Sequence, residues 1–374
     1  MINRNRIVAE FLELAAIDSV SYHEARVRDV LIQKLTELGF SVYEDEANRP
    51  TGGESGNLIA HLPGTAEGPG VFFCAHMDTV QPGIGIVPIL DGDVIRSAGD
   101  TVLGADDKAG IAVILEAIRV IKEKRISHPE LEVIFTVSEE QGLMGARHLD
   151  ITRLRSAGGY VLDTNGPAGT IVVQGPTQNE LEIEVRGKAA HAGINPEDGL
   201  NAIHAAGYAI ANLTIGRIDH ETTCNLGTIQ GGEARNIVPD RVVIKGEVRS
   251  LDETKLEQVT NRIEAEVKAR CAEKGAECQI RITPLYPAFR LDPASPVVLA
   301  AANAARNIGK EPIITKTGGG SDANLLNGRG MPTANIGVGF EHVHTVEERI
   351  QIQSLVDCAA WVVEIIKESA GKKL

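Results

Sequence analysis

Aromatic residues are scarce in this chain, one Trp, five Tyr and seven Phe among 374 residues, which leaves little for the stacking platforms that bind single-stranded nucleic acid. Positive charge is also short: 37 Lys and Arg stand against 51 Asp and Glu, a net charge of −14. That balance repels nucleic acid and anionic membrane alike, so neither is expected as a partner. No apolar run reaches the ~18 residues of a membrane span. The opening MINRNRIVAEFLELAAI has neither the long apolar stretch nor the small-residue cleavage site of a secretion signal, and a cytoplasmic protein is expected. The five cysteines, Cys74, Cys224, Cys271, Cys278 and Cys358, form no C-x-x-C pair and fit reduced packing thiols better than a disulfide framework. What the chain does have is 43% hydrophobic residues, enough for a large core and, at this length, two domains. It also has 39 glycines, a bias toward tight turns and close backbone approaches.

Apolar spacing predicts two helices within residues 4–39, the second over 25–39 with Gly39 closing it. SVYED (41–45), NLIAHLPG (57–64) and GVFFCAHMD (70–78) read as strands, the last too continuously apolar to have a wet face. A helix over 109–124 with an acidic entry at Asp106-Asp107, and buried strands at LEVIFTVS (131–138) and GGYVLDT (158–164), follow. This alternation predicts an α/β fold with a mixed, largely parallel sheet and helices on both faces. From residue 177 the pattern changes to half-exposed strands, with strand, helix (196–213), two strands (221–231 and 237–250), helix (252–275) and strand (277–285). That β-α-β-β-α-β order predicts a ferredoxin-like α+β domain. A helix near 296–308, the strand TANIGVGF (333–340) and a helix over 351–368 then resume the α/β pattern. The smaller domain, 177–286, is thus read as an insertion between 1–176 and 287–374.

His76 and Asp78 follow one buried strand, Glu139 and Glu140 another, Asp163 closes a third, His344 lies past a fourth, and Asp106 and Asp107 open a helix. Each alone has a plain structural explanation: a strand-end turn, a helix cap, solvated loop acids. Together they crowd carboxylates and imidazoles at the carboxyl ends of parallel strands, where open α/β sheets place their sites. Adjacent carboxylates there repel each other unless a cation compensates them. The His/Asp/Glu set without Cys suits zinc, with cobalt or manganese as substitutes. Two ions would share these ligands and leave open positions for water, as hydrolytic zinc sites require. One carboxylate would be spare as general base, and Asp78 could orient His76 through its second nitrogen. Spacing leaves open Asp106 against Asp107, and His342 against His344.

HMDTV (76–80), GADDKAGIA (104–112), VSEEQGLMGA (137–146), the Asp of VLDT, KAAHAG (188–193), ARNIVPD (234–240), GGGSDA (318–323) and HTVEE (344–348) together resemble the zinc aminoacylase/carboxypeptidase family of metallopeptidases, most closely its peptidase T-like branch. The resemblance covers nearly the whole chain in order. It implies a zinc-exopeptidase-like catalytic domain with an inserted lid and dimerisation domain, and two zinc ions per subunit. By position, His76, Asp163 and a bridging Asp106 would hold one ion, and Asp106, Glu140 and His344 the other. Glu139 would be the general base and Asp78 the residue polarising His76. His191 would be the lid histidine that reaches a partner subunit's site, which implies a homodimer joined through the lids. Asn236, Arg249 and Gly319, within the Gly318–Gly320 loop, resemble substrate-contacting positions, with Arg249 suited to a carboxylate.

The expected activity is hydrolysis of short peptides, as a tripeptide aminopeptidase. The same centre would serve an N-acyl amino acid deacylase or a dipeptidase, and a non-catalytic metal- or peptide-binding protein is the reading from another class. The spare carboxylate beside Glu140 speaks against the last. TGGGSDAN lacks the G-K-[ST] ending of a phosphate-binding loop.

Overall fold

The computed structural model describes residues 2–370 and divides into two compact units. The first comprises the chain up to Gln174, Arg290–Thr317 and the stretch from Ser321 on; the second comprises Gly175–Phe289 with Gly318–Gly320. Sequence reading placed that glycine loop with 287–374. It falls in the second unit because Gly320 packs on the ring of Tyr286, where an added Cβ would lie 2.3 Å from ring atoms.

The first unit is built on a nine-stranded mixed sheet. Its middle holds four parallel strands, Leu131–Thr136, Val71–His76, Gly159–Thr164 and Thr333–Gly337, in that order. The first two are buried at every residue, as strands covered on both faces must be. Leu58–Leu62 and Ser41–Glu44 extend one edge antiparallel. On the other side lies Thr170–Gly175, which the sequence did not announce. Helix Ala105–Glu123 is buried nearly throughout and packs against Arg4–Ala15, Ile352–Ser369 and the strand Val71–His76. Its beginning departs from the expected acidic cap. Gly104 caps it in the left-handed region, Asp106 and Asp107 are non-helical, and the peptide between them is cis. A small separate sheet of Phe340–Glu341, Arg349–Gln351, Val94–Ser97 and Pro88–Asp91 was also not foreseen. Its antiparallel pair Phe340↔Ile350 and Glu341↔Arg349 closes the loop that carries His344 and Glu348.

The second unit is an antiparallel sheet in the order Gly216–Arg217, Thr222–Gly231, Arg241–Ser250, Thr177–Arg186, Glu277–Tyr286. Two helices, Ala202–Ala211 and Glu253–Glu273, bury Ala205, Ala209, Ile263 and Val267 against Leu181, Ile183 and Val242 of that sheet. This is the ferredoxin-like arrangement. The first helix starts later than 196 because Leu200 pairs with Lys188 as a bridge, and Asn201 then caps His204 N. Among the described residues no helix is long and apolar enough to cross a membrane.

Candidate metal centre

The carboxyl ends of the four parallel strands bring His76, Asp106, Glu139, Glu140, Asp163 and His344 together. His76 ends its strand with 1% exposure; its Nε2 lies 3.0 Å from Asp106 Oδ1. The other Asp106 oxygen is 3.4 Å from His344 Nε2, which in turn meets Glu140 Oε1 at 2.9 Å. Donor atoms of His76, Asp106 and Glu140 all lie within 4.8 Å of one another, as do those of His76, Glu139 and Asp163. The alternatives left by spacing are separated by direction. Asp107 turns inward, its oxygens accepting His76 N and Gly110 N at 3.2 Å each, while Asp106 faces the imidazoles. His342 is exposed, and His344 is the histidine that reaches the acids.

Backbone anchoring explains why these side chains converge. Glu348 accepts Leu103 N and Gly104 N at 2.8 Å through one oxygen and Asp106 N at 3.0 Å through the other, so one buried carboxylate fixes the loop that presents Asp106. Asn335 holds both backbone groups of Asp163, accepting its N–H at 3.1 Å and donating to its carbonyl at 2.7 Å. Sequence reasoning missed Asn335; a lone amide inside the apolar run TANIG was the signal. Asp78 faces His76 Nδ1, with its backbone carbonyl, at 2.9 Å, nearer than its carboxylate, at 3.4 Å. The Asp78 carboxylate is occupied by Ser21 Oγ at 2.7 Å, Glu139 N at 2.9 Å and Glu140 N at 3.2 Å. It therefore ties the Glu139-Glu140 turn beneath the cluster.

Among the described residues no lysine or arginine forms an ion pair with these acids. Burial, reinforced by the charges of Glu140, Asp322 and Asp78 and opposed by His76, pushes the Glu139 carboxyl far above the usual range. Burial and the charges of Asp106 and Glu139 do the same to Asp163. Burial also raises Glu140. At Asp106 burial is outweighed by the hydrogen bonds and charges of His344 and His76, which hold it well below the carboxylate range. His344 is pushed up to about 10 by Asp106 and Glu140. The cluster thus gathers protons on histidines and acids alike. A divalent cation would supply the missing positive charge directly, and an oxygen and imidazole donor set without sulfur fits zinc.

In the second unit His191 and Asn236 are neighbours: His191 bridges Ile237, and Ala192 N donates to Asn236 O at 3.0 Å. His191 is exposed, and its Nδ1 accepts Gly193 N and Ile194 N at 3.1 Å each. A neutral ring so held carries its hydrogen on Nε2. Arg249 faces Glu247 with two contacts, 2.9 and 3.0 Å, and Gln178 donates to the same carboxylate at 2.9 Å. Gly319 is exposed in its loop.

Residues 178–275 match the family described as the peptidase dimerisation domain, and residues 57–194 match peptidase family M28. The chain is similar to an aminopeptidase PepT structure from Bacillus cereus, with 45% identity, 98% of this chain and 99% of that one covered, and a TM-score of 0.88. It is similar to a tripeptidase structure from Staphylococcus aureus with 39% identity, all of both chains covered, and a TM-score of 0.94. The protein YqjE of Bacillus subtilis is 44% identical over 370 residues, 99% of this chain and 100% of that one.

Proposed function

Because the chain belongs to the zinc aminoacylase/carboxypeptidase family of metallopeptidases, in its peptidase T-like branch, and is a peptide hydrolase, we propose that it is a two-zinc aminopeptidase releasing the amino-terminal residue of tripeptides. The observation that carries the mechanism is a buried carboxylate, Glu139, with an oxygen within 4.8 Å of donor atoms of His76 and Asp163. His76, Asp106 and Asp163 would hold one zinc ion, and Asp106, Glu140 and His344 the other. Bound there, zinc supplies Lewis acidity and makes water acidic enough to ionise near neutral pH.

Glu139 accepts the proton of the attacking water and delivers it to the leaving amine. A carboxylate fixed beside the metal ligands can serve both halves of that transfer. Asp78 holds the Glu139 and Glu140 backbone N–H groups, so the base stays where the proton is released. His191 offers Nε2–H as a fixed donor for an oxyanion, and we place that oxyanion in a partner subunit, with the dimerisation domain supporting a homodimer. Asn236, Arg249 and Gly319 are assigned to the substrate's backbone and carboxylate.

The test is mass spectrometry of products after incubating zinc-loaded protein with free-amino tripeptides, dipeptides and N-acyl amino acids, with a chelated control. Release of amino-terminal residues from tripeptides alone, lost on chelation, is expected. Cleavage confined to dipeptides or N-acyl amino acids moves the function to a dipeptidase or deacylase. For the dimer, inactive His191→Ala and Glu139→Ala chains mixed together should regain partial activity; none on mixing overturns action between subunits.

A further inference from the structure

Glu24 is a fully buried carboxylate at the start of helix Ala25–Glu37, yet it makes no capping bond to that helix. Its Oε1 instead accepts three donors: Ser138 N at 2.9 Å, Ser138 Oγ at 2.9 Å and Tyr22 N at 3.0 Å. Ser138 Oγ in turn accepts Tyr22 N at 3.1 Å, which closes a small network around one residue. Glu24 Oε2 is buried and has no hydrogen-bond partner.

Ser138 is the residue immediately before Glu139 and is held at φ 48° and ψ 42°. A side-chain-bearing residue visits this left-handed region at a cost and needs its surroundings to hold it there. Glu24 does so by taking both of its donors. Asp78 takes the next two N–H groups, of Glu139 and Glu140. Three consecutive N–H groups are therefore received by two buried carboxylates from different parts of the chain. Solvation of a turn would not need either carboxylate, and burying each of them is costly. The turn's one chemical product is the direction of the Glu139 and Glu140 side chains.

We infer that Glu24 is a positioning residue for the general base: through Ser138 it fixes the left-handed residue from which the Glu139 carboxylate is aimed. This rests on the role proposed above for Glu139. Glu24 hydrogen-bonds Ser138 and Tyr22, whereas Glu140 is held separately, by Asp78 at its N–H and by His344 at its side chain, so the loss of Glu24 acts on proton transfer and leaves metal and substrate in place. The accepting oxygen, not the charge, carries the effect, since Gln keeps an oxygen at the same reach whereas Asp withdraws it by one methylene.

Two readouts separate this inference from the proposed activity. In metal-free protein, hydrogen exchange of the segment 137–143 should quicken at least tenfold in Glu24→Ala and stay within about threefold of wild type in Glu24→Gln. On the peptide the wild-type enzyme cleaves, kcat should fall ~10–100-fold in Glu24→Ala, with KM within about threefold and zinc content unchanged, and Gln should restore most of it. Ser138→Ala, which keeps the N–H donor and loses the hydroxyl, should show a smaller kcat loss of the same kind. Thermal unfolding of each variant identifies any that fails to fold, and Ser138→Ala then carries the test. Unchanged exchange in a folded Glu24→Ala overturns the inference whatever the activity does. Quickened exchange with wild-type kcat, or loss of bound zinc, also overturns it. A wild-type protein that cleaves no peptide would count against the proposed function while the exchange result still decides the role of Glu24 in the turn.

Discussion

Glu184 in the second unit lies between Arg241 and Arg186, at 2.8 and 2.6 Å, on a sheet face where Glu182 meets Arg281 in the same way. Glu139 in the first unit is buried among Glu140, Asp322 and Asp78, with His76 as the counterweight. The hydrogen bonds of Arg241 and Arg186 lower the Glu184 carboxyl, whereas burial raises that of Glu139 far above its ordinary range. One residue type is thus neutralised by its own chain in one unit and left wanting a cation in the other. Uncompensated acid in a folded protein is costly, and the cost is concentrated where the proposed chemistry needs a proton acceptor and cation ligands.

Four measurements test that contrast, the largest first. Glu139→Ala should lower turnover by ~10³-fold or more while bound zinc stays near normal; a near-normal rate would remove the base assignment. Each zinc ion, in thousandfold excess over its Kd, should raise unfolding stability by about 4 kcal/mol, read by thermal or denaturant melts, and His76→Ala should remove the share of the ion it holds with Asp106 and Asp163. An undiminished gain in His76→Ala would place that ion elsewhere.

Glu24 supplies the third. Burial and the charge of Asp78 push its carboxyl up to about 7, against hydrogen bonds from Ser138 and Tyr22 that lower it. Because the folded value exceeds the unfolded 4.5, the native state binds this proton more tightly, and stability falls as pH rises between the two values. Glu24→Gln cannot ionise. Its stability relative to wild type should therefore climb with pH across that window, by about 3 kcal/mol in total, and a flat difference would refute the shift. Last, Glu184→Gln in the second unit should cost less than ~1 kcal/mol at neutral pH, as paired surface charges do. A larger loss would mean that the sheet depends on its charge ladder.

The four parallel strands and the residues at their ends were legible because a doubly covered strand must be apolar throughout and the polar residues that end it stand out. Spacing did not choose between Asp106 and Asp107, and only the family motif supplied Asp106, because the choice rests on Glu348, 242 residues from Asp106, and no local pattern carries that bond. The small sheet around Val94–Ser97 escaped for another reason: its strands are two to four residues long, too short for alternation to register. Glu24 reads as an ordinary helix-entry acid in the sequence. Its partner Ser138 lies 114 positions on, and only the folded chain shows that the helix does not use it.

The strand Thr333–Gly337 lies between Gly159–Thr164 and Thr170–Gly175, parallel to one and antiparallel to the other. A ribosome makes both neighbours first and then the whole of Gly175–Phe289 before it reaches this strand, a wait on the order of 10–30 s at ordinary elongation rates. Through that interval two strand edges stand open to pairing with other chains, and His344 and Glu348 do not yet exist. The nascent polypeptide therefore cannot assemble the full acid and imidazole cluster. Any hydrolytic power thus waits until His344 and Glu348 have been made.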